Sequence, residues 1–416
     1  MSDAPFDFRL AMLADDVTGG CDAGVQFARR GAATRVYLEL PPEPATAGVS
    51  VIVHHSRGDA SKEAVRKVER ACDWIAASGA NLCYKKIDST LKGNVGAELE
   101  AIRNRFPDRL ILVCSAFPGM DRILVDGWVR VRSREGIEPI HLLSLLTGQG
   151  AARFMHISQP GGAGESNVLV ERIRQSEAAG ARIVAIDAVS ESHLRAIAEA
   201  AGQMVPPPML VGSAGLAAAW SELLLRVGNC GAPAAREPAS RAPQVSSASA
   251  VSAAGPVILC IGSTNPVTCQ PLQLLADTER VLTFNWQQDD PREALAALAR
   301  GWHLAVLIHR DSTDQQNLRR LFSEIVETSH ARGLLCSGGD TARLVCICLG
   351  VRAIQLAGEI LPGLPRGTLV GGLADRWPIC TKAGAFGNSE ALCEAVSFLA
   401  AQPWFQENRQ ESHIDC

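Results

Sequence analysis

The chain has 416 residues, of which 47% are hydrophobic, and its formal net charge is −4. Because single hydrophobic cores stop growing well below this length, we expect two domains. The near-neutral charge and the lack of a long basic stretch argue against nucleic-acid binding. The first residues show no positive region followed by a long apolar run, and the longest apolar runs are strand-sized. The sequence therefore predicts neither a signal peptide nor a membrane span.

The first half alternates short apolar runs with helix-length stretches. The apolar runs end in Gly, Asp, Ser or Pro, as strands often do, and they are Leu10–Ala14, Val51–His54, Leu82–Ile87, Leu110–Cys114, Ile183–Asp187 and Met209–Val211. The helical stretches between them include Lys62–Ala77, Val168–Ala179 and Glu191–Met204. This alternation predicts a mainly parallel sheet with ligands bound where the strands end. Residues 128–165 fit it poorly, and we expect a hairpin and a lid-like loop there.

A change of composition divides the chain. Residues 228–255 are rich in Ala, Ser, Pro and Gly and lack apolar periodicity, which indicates a linker or crossover. The alternation resumes in Val257–Ile261, Val281–Asn285, Ala305–His309, Gly333–Cys336, Ala353–Leu356 and Ile379–Lys382, followed by a helix near Ser389–Ala401. The predicted fold is α/β, with two doubly wound, mainly parallel-sheet domains at residues 1–227 and 256–416 and a cleft between them.

The cysteines favour a reducing compartment. Their number, 13, is odd, and they are scattered through apolar segments. A disulfide framework is typical of small secreted chains, so these residues are better interpreted as buried thiols of a cytoplasmic protein. No His/Cys cluster with the spacing of a zinc site is found, and no residue is assigned as a metal ligand.

The first predicted strand ends in the segment ADDVTGGCD, which contains Asp15, Asp16 and Asp22. Paired aspartates at this place can hold sugar hydroxyls or Mg²⁺, and one of them can act as a general base. The structural alternative is a cap for the following helix. Capping explains one aspartate and leaves the others without a purpose, so we favour a functional interpretation.

Two arginines follow other predicted strands. Arg57 lies after the second strand, where its guanidinium could clamp a carboxylate with two parallel hydrogen bonds. Arg122 closes the segment SAFPGMDR after the fourth strand and is a second candidate anion contact. For Arg57 the alternative is a solvated loop arginine, but its position at the same sheet edge as Asp15 and Asp16 favours function. The segment that carries Arg122 is expected to form a wall of the same cleft.

The segment YKKIDSTLKGN carries more polar chemistry than a strand-to-helix connection needs. It holds two lysines, Lys85 and Lys86, and then Asp88 and Ser89. If the segment is a strand, the two lysines point to opposite faces and one of them is structural. Asp88 should be ionised because a lysine lies near it. The composition predicts a site for an anionic, polyhydroxylated ligand.

Three glycine-bearing junctions follow predicted strands of the second half. Their residues are Ser263 in GSTN, Gly338, Gly339, Asp340 and Thr341 in SGGDTA, and Gly384 and Gly387 in TKAGAFGN. Backbone amides of such loops, with a helix N-terminus beside them, suit phosphate groups. Neither a P-loop nor a dinucleotide fingerprint is found. Together the junctions predict a nucleotide site of another type.

Taken together, these segments resemble the four-carbon acid sugar kinase family. The resemblance rests on ADDVTGGCDAGVQFARRG, YKKIDSTLKGNVGAELEA, SAFPGMDR, GSAGLA, GSTNPVT, SGGDTA, GEILPGLP and TKAGAFGN, which occur in order through both halves. The resemblance implies an ATP-dependent, cytoplasmic enzyme that phosphorylates the terminal hydroxyl of D-threonate, with D-erythronate and 3-oxo-tetronate as alternatives. The segment after Arg122 departs from the family pattern and bears on which acid is bound.

The resemblance also implies roles for residues. The N-terminal half would hold the acid sugar, and the C-terminal half would hold ATP with its Mg²⁺. The expected substrate contacts are Asp15, Asp16, Arg57, Lys85, Lys86, Asp88, Ser89 and Arg122. Asp16 is favoured over Asp88 as the base. The expected ATP contacts are Ser263, Gly338, Gly339, Asp340, Thr341, Gly358, Gly384 and Gly387.

Two other classes of function remain open. A dehydrogenase on a similar scaffold would need a dinucleotide fingerprint with an acidic residue about twenty positions further on, which the sequence lacks. A non-catalytic sugar-acid binding protein would use the N-terminal polar cluster but would leave the three glycine loops without a purpose. The oligomeric state is also open, a homo-oligomer included.

Overall fold

The computed structural model describes residues 9–43, 47–131, 138–158, 166–228, 255–262, 266–308, 314–384 and 390–402. The fold is α/β with a large, mainly parallel sheet, which confirms the predicted class. The predicted linker at 228–255 and the GGAG part of the predicted lid lie almost wholly outside the described residues. No helix within the described ranges is both long and apolar enough to cross a membrane.

The first half of the chain supplies eleven of the described strands and seven of the helices. The strands are β1 (Arg9–Ala14), β2 (Thr34–Tyr37), β3 (Gly48–Val53), β4 (Asn81–Lys86), β5 (Ile111–Cys114), β6 (Arg122–Val125), β7 (Trp128–Val131), β8 (Ile140–His141), β9 (Phe154–Ile157), β10 (Ile183–Ile186) and β11 (Met209–Gly212). The helices are α1 (Val17–Ala28), α2 (Ser61–Ser78), α3 (Val95–Arg105), α4 (Leu142–Gly148), α5 (Ser166–Ala178), α6 (Glu191–Gly202) and α7 (Ala214–Gly228).

The second half supplies the remaining described elements. Its strands are β12 (Val257–Ile261), β13 (Val281–Asn285), β14 (His303–Leu307), β15 (Gly333–Ser337), β16 (Ala353–Glu359), β17 (Pro365–Val370) and β18 (Pro378–Lys382). Its helices are α8 (Pro266–Thr278), α9 (Pro291–Ala299), α10 (Gln315–Thr328), α11 (Gly339–Leu349) and α12 (Ala391–Ala400). Every apolar run predicted as a strand overlaps an observed one, and β2, β6, β9 and β17 were not predicted as strands.

The two halves share one 15-stranded sheet, which the sequence did not predict. The strand order is β13-β14-β12-β15-β18-β17-β16-β2-β3-β1-β4-β11-β5-β10-β9. Within each half the pairing is parallel except around β17, which is antiparallel to both its neighbours. The halves join where β16 pairs with β2 in antiparallel register, with Ile354 opposite Val36.

This junction decides how the two ligand-binding edges meet. Because β2 and β16 are antiparallel, the strands of the two halves run in opposite directions. A sheet twists by about 20–25° per strand, so the six steps from β1 to β15 accumulate on the order of 130°. The twist therefore brings the carboxyl ends of the two sets of strands to the same side of the sheet, where α1 and α11 contact each other.

Helix α1 packs closely against the junction between β2 and β16 because it is rich in small residues. A methyl group on Gly24 would lie 2.9 Å from Leu356 Cδ1 of β16 and 3.0 Å from Val51 Cγ2 of β3. The helix therefore lies in direct contact with strands of both halves. Gly20 makes a similar approach to Val51, and a longer side chain at either glycine would push the helix off the sheet.

The region predicted as a hairpin and a lid forms a separate small sheet. Strands β6, β7 and β8 pair in antiparallel fashion beside the carboxyl end of β5. The chain then forms α4 and returns to the main sheet as its edge strand β9. The predicted hairpin therefore exists but begins earlier than expected, at Arg122.

Candidate active site

The site is built where β1 ends and α1 begins. Asp16 is the N-cap of α1: its Oδ1 accepts a hydrogen bond from the amide of Gly19 at 2.8 Å. Its Oδ2 accepts another from the Thr18 hydroxyl at 3.0 Å. The structural alternative considered for this residue is therefore observed. Capping leaves Asp15 unexplained, and it does not exhaust the contacts of Asp16.

Arg57, from the loop after β3, connects the two aspartates. Its Nε and Nη2 donate to the two carboxylate oxygens of Asp15, each at 2.8 Å, in a bidentate geometry. Its Nη1 donates to Asp16 Oδ2 at 2.8 Å and lies 3.5 Å from Asp88 Oδ2. All three nitrogens of the guanidinium therefore already face carboxylates. The arginine organises this cluster and has little capacity left for a ligand.

The two aspartates differ in their electrostatics. Burial alone would raise the pKa of Asp15, but the charges of Arg57 and Lys85 outweigh it and hold that pKa below its usual value. For Asp16 burial prevails, aided by repulsion from Asp15, and its pKa is raised despite Arg57. Asp15 is thus the fixed anion of the pair, and Asp16 is the one that takes up a proton more readily.

Asp88 lies at the other side of Arg57. Its Oδ1 accepts hydrogen bonds from the amide of Thr90 at 2.8 Å and from the Thr90 hydroxyl. Burial raises its pKa, but the charge of Arg57 and the bond from Thr90 outweigh this effect and the pKa is lowered. Ser89 is buried beside it. The carboxylate is thus fixed in its ionised form, which suits binding more than proton transfer.

The two lysines of β4 point to opposite faces of the sheet. Lys85 is fully buried, and its Nζ forms an ion pair of 2.8 Å with Glu98 Oε2 of α3. Lys86 points to the α1 side, where its Nζ lies 3.1 Å from the place that a Cβ on Gly19 would occupy. In the part of the chain that the structure describes, the amine of Lys86 has no carboxylate within 4.0 Å. Lys86 is therefore the cation best placed for an anionic ligand.

Glu98 supports the cluster from behind and was missed by the sequence analysis. Besides pairing with Lys85, it accepts a hydrogen bond from the Ser56 hydroxyl, and Ser56 precedes Arg57. Asn94 adds two bonds, to the carbonyls of Ser56 and Asp59. The first turn of α3 thus holds the loop that carries the arginine. The available signal was a glutamate in the otherwise apolar first turn of the helix, Val95–Glu98.

Arg122 lies at the start of β6 and is buried. Its guanidinium donates to the carbonyl of Met120, and its charge acts on Asp22 of α1. The structure therefore brings Arg122 to the α1 side of the sheet, which is the side that Lys86 faces.

The C-terminal half reaches the same place through α11. A Cβ on Gly339 would lie 2.1 Å from Asp16 Oδ2, so the glycine backbone is in direct contact with the carboxylate. Gly338 caps α11 with a φ of 105°, a conformation that favours glycine. The start of α11 therefore lies against the aspartate cluster across the boundary between the halves.

The neighbouring junctions converge on the start of α11. Strands β12, β15 and β18 are adjacent, so their carboxyl ends meet at one edge. A Cβ on Gly262 would lie 1.9 Å from Thr341 Oγ1, and the amide of Gly338 donates to the carbonyl of Lys382 at 2.9 Å. Lys382 is a fully buried lysine that was not among the predicted contacts. Gly384 follows it at this edge.

The remaining predicted contacts are placed less closely or not at all. Asp340 is exposed in the first turn of α11. Gly358 lies within β16, where a Cβ would be 3.5 Å from the guanidinium of Arg366. Ser263 and Gly387 lie outside the described residues.

A cavity of about 330 Å³ lies elsewhere, at the amino ends of β1 and β4. It is lined mainly by apolar groups, including Leu10, Cys83 and Trp220. None of the predicted site residues lines it, and the ends of parallel strands that bind ligands are the opposite ones. The chemistry is therefore assigned to the aspartate cluster and not to this cavity.

Two family models match the chain. A sugar-binding N-terminal domain matches residues 10–220, and a nucleotide-binding C-terminal domain matches residues 259–392. Together they cover more than half of the sequence. The first contains the aspartate cluster with Arg57 and Lys86, and the second contains the glycine junctions.

Curated relatives align over nearly the whole chain. A D-threonate kinase of Bordetella bronchiseptica is 32% identical over 94% of this chain and 97% of its own length. A D-threonate kinase of Salmonella typhimurium is 29% identical over 94% and 98%. A D-erythronate kinase of Heliobacterium modesticaldum is 28% identical over 94% and 97%.

Solved structures share the fold. A protein of Haemophilus influenzae superposes with a TM-score of 0.66 at 18% identity and covers 94% of this chain and 100% of its own. A Salmonella typhimurium structure gives 0.70 at 20% identity, with 93% and 98% covered. At these identities the likeness concerns the architecture alone.

Proposed function

The chain belongs to the four-carbon acid sugar kinase family and is a sugar-acid kinase, and we propose that it transfers the γ-phosphoryl group of ATP to the terminal hydroxyl of D-threonate. The carrying observation is the contact between Asp16 and Gly339. It joins a carboxylate of the sugar-binding half to the helix N-terminus that would receive phosphate. The phosphoryl acceptor and donor would meet at this contact.

The acid sugar would bind on the α1 side of β4. Lys86 supplies the cation for its carboxylate, because Arg57 is already engaged by Asp15 and Asp16. Asp88, held ionised, would accept hydrogen bonds from sugar hydroxyls. Two of the expected contacts thereby become indirect: Lys85 acts through Glu98, and Arg57 acts through the carboxylates that it holds in place.

Asp16 would accept the proton of the attacking hydroxyl. Burial raises the pKa of Asp16, which suits a group that takes up a proton, and its contact with Gly339 would put it beside the transferring group. Phosphoryl transfer depends on positioning and charge neutralisation more than on covalent chemistry. The short polar contacts of Arg57 with three carboxylates provide that fixed geometry.

ATP would bind at the carboxyl ends of β12, β15 and β18. The amides at Gly338 and Gly339 and the dipole of α11 suit its phosphates. Within the described ranges no group of three or more His, Cys, Asp and Glu residues is arranged to hold a metal ion. Mg²⁺ would be held mainly by phosphate oxygens, with Asp340, in the first turn of α11, as a carboxylate of the same loop. The ion would neutralise phosphate charge.

The choice of D-threonate follows the names of two aligned relatives, and a relative named D-erythronate kinase keeps that acid as an alternative. Relatives named 3-oxo-tetronate kinase, such as one of Pseudomonas fluorescens at 27% identity, keep the third. We also propose a cytoplasmic location, in keeping with ten described cysteines that are all free thiols.

The test is ADP release with a panel of four-carbon sugar acids, with the Asp16→Asn variant as the control for contaminating kinases. We expect ADP release with D-threonate in the parent protein and its loss in the variant. Thermal stabilisation by NAD but not by ATP would instead favour a dehydrogenase. Stabilisation by sugar acids without ADP release would favour a binding protein.

A further inference from the structure

Besides the aspartates already described, one more carboxylate faces the α1 side of the site. Asp22 lies on α1, one turn after Gly19, so the two residues share a face of the helix. It is 3% exposed, and its Oδ1 has no hydrogen-bond partner among the described residues. A buried carboxylate oxygen is nearly always hydrogen-bonded in a folded protein, so an unpaired one signals a missing donor.

The charges around Asp22 show where that donor would come from. Lys86, on β4, exerts the strongest stabilising charge on it, and Arg122, on β6, acts in the same sense. Asp16, at the start of α1, and Glu359, at the end of β16, oppose them. Because the amine of Lys86 also lies 3.1 Å from the place of a Cβ on Gly19, one turn before Asp22, the acceptor and the lysine lie on the same side of α1.

The geometry points to Asp22 as the group that binds the hydroxyl next to the carboxylate of the sugar acid. This inference rests on the proposed function and deepens it by naming a determinant of specificity. An α-hydroxy acid presents a carboxylate and an O–H donor on adjacent carbons. Lys86 and Asp22 present a cation and an unpaired acceptor oxygen on the same side of α1.

Electrostatics agree with this role. Burial raises the pKa of Asp22 to about 7, because Lys86 and Arg122 only partly compensate for the loss of water. A carboxyl group poised between its two forms can both accept and donate hydrogen bonds, as the hydroxyl of an α-hydroxy acid does. Capping does not explain the residue, since Asp16 already caps α1.

The competing explanation is that Asp22 has a purely structural role. A cycle of variants and substrates distinguishes this role from binding of the hydroxyl. The parent protein, Asp22→Leu and Asp22→Asn are each measured with the four-carbon sugar acid and with its analogue that lacks the hydroxyl next to the carboxylate. In the parent, we expect the analogue to lower kcat/KM on the order of 10- to 100-fold. In Asp22→Leu, the two substrates should differ by less than about 3-fold, and Asp22→Asn, which keeps an acceptor, should lie between.

A parallel loss for both substrates, with the parent's ratio preserved, would show a structural role and overturn the inference. The same ratios are measured as dissociation constants by calorimetry, so that a chain that binds acids without phosphorylating them still tests Asp22. In that case the proposed function is wrong, and the ratio of the dissociation constants of the two acids alone decides whether Asp22 binds the hydroxyl. If the parent binds no sugar acid, both fall together.

Discussion

Gly339 touches the carboxylate of Asp16 across the boundary between the two halves of the chain. A methyl group at position 339 would lie 2.1 Å from Oδ2 and 2.8 Å from the carboxyl carbon. Each residue begins a helix, Asp16 as the cap of α1 and Gly339 as the first residue of α11. Two helix N-termini thus converge on one carboxylate, at the point where a phosphoryl group would pass between substrates.

Replacing Asp16 by Asn should reduce turnover more than substrate binding. Loss of a general base typically costs about 10²- to 10⁴-fold in rate, and the KM for ATP should stay within about 3-fold. In the parent, kcat should rise with pH through the raised pKa of Asp16 and then level off. Steady-state kinetics across pH measure both. Asp88→Asn is the comparison, because it should also lower turnover but keep the parent's dependence of kcat on pH. If Asp88→Asn lost that dependence and Asp16→Asn kept it, Asp88 would be the base and Asp16 the binding carboxylate.

Replacing Gly339 by Ala should impair activity because the new methyl group has no room beside Asp16. Either α11 or the carboxylate must shift, and a misplacement of about 1 Å can cost on the order of 100-fold in rate. Gly148→Ala is the matched control, since a Cβ there meets nothing within 4 Å. Full activity of Gly339→Ala would show that the contact is not part of the reacting arrangement.

Replacing Lys85 should mainly lower stability, whereas replacing Lys86 should mainly weaken binding of the acid sugar. Lys85→Met leaves Glu98 buried without its partner, which typically costs about 3–5 kcal/mol of unfolding free energy. Lys86→Met removes no ion pair among the described residues, so it should cost less unfolding free energy than Lys85→Met while it raises the KM for the acid sugar. Chemical denaturation and kinetics distinguish them.

The double variant Lys85→Met/Glu98→Leu provides a control, because replacing both charges of a buried pair is often nearly neutral. It should recover most of the lost stability. If Lys86→Met proved the less stable of the two single variants, the assignment of faces would be incorrect.

Asp22 should make the protein less stable as the pH rises. Its pKa is 3.8 in the unfolded reference and about 7 when folded, so the folded state binds more protons between these values. The unfolding free energy then falls with pH across this window, by at most about 1.4 kcal/mol per pH unit. Denaturation at pH 5 and pH 8 should show Asp22→Asn gaining relative to the parent. An equal difference at both pH values would contradict the buried, unpaired state of Asp22.

The halves should unfold together. They share the pairing of β2 with β16, and α1 packs on strands of both. Urea unfolding followed at a tryptophan of each half, Trp220 and Trp377, should give coincident transitions in single-tryptophan variants. A separate early transition of either half would show that the continuous sheet does not couple them.

Local pattern was sufficient for most of the fold and for the members of the polar cluster. Apolar runs such as Leu10–Ala14 and Val257–Ile261 announce strands because a buried parallel strand needs apolar side chains on both faces. The surplus of charged residues after those strands marks the site, since an ordinary connection does not need it. Alternation along a strand also required that Lys85 and Lys86 point to opposite faces.

The sequence by itself determined the α/β class, the family and the group of residues from which the site is made, because these depend on residue types and on their spacing along the chain. Only the tertiary structure decided which lysine forms an ion pair with Glu98, that Arg57 is fully engaged by Asp15 and Asp16, and that Gly339 contacts Asp16. The first two relationships arise from the parallel pairing of β1 with β3 and β4 and from the packing of α3, and the third arises from the reversal of strand direction at β2 and β16 and from the twist of the shared sheet. All of them depend on long-range pairings, which no local segment encodes.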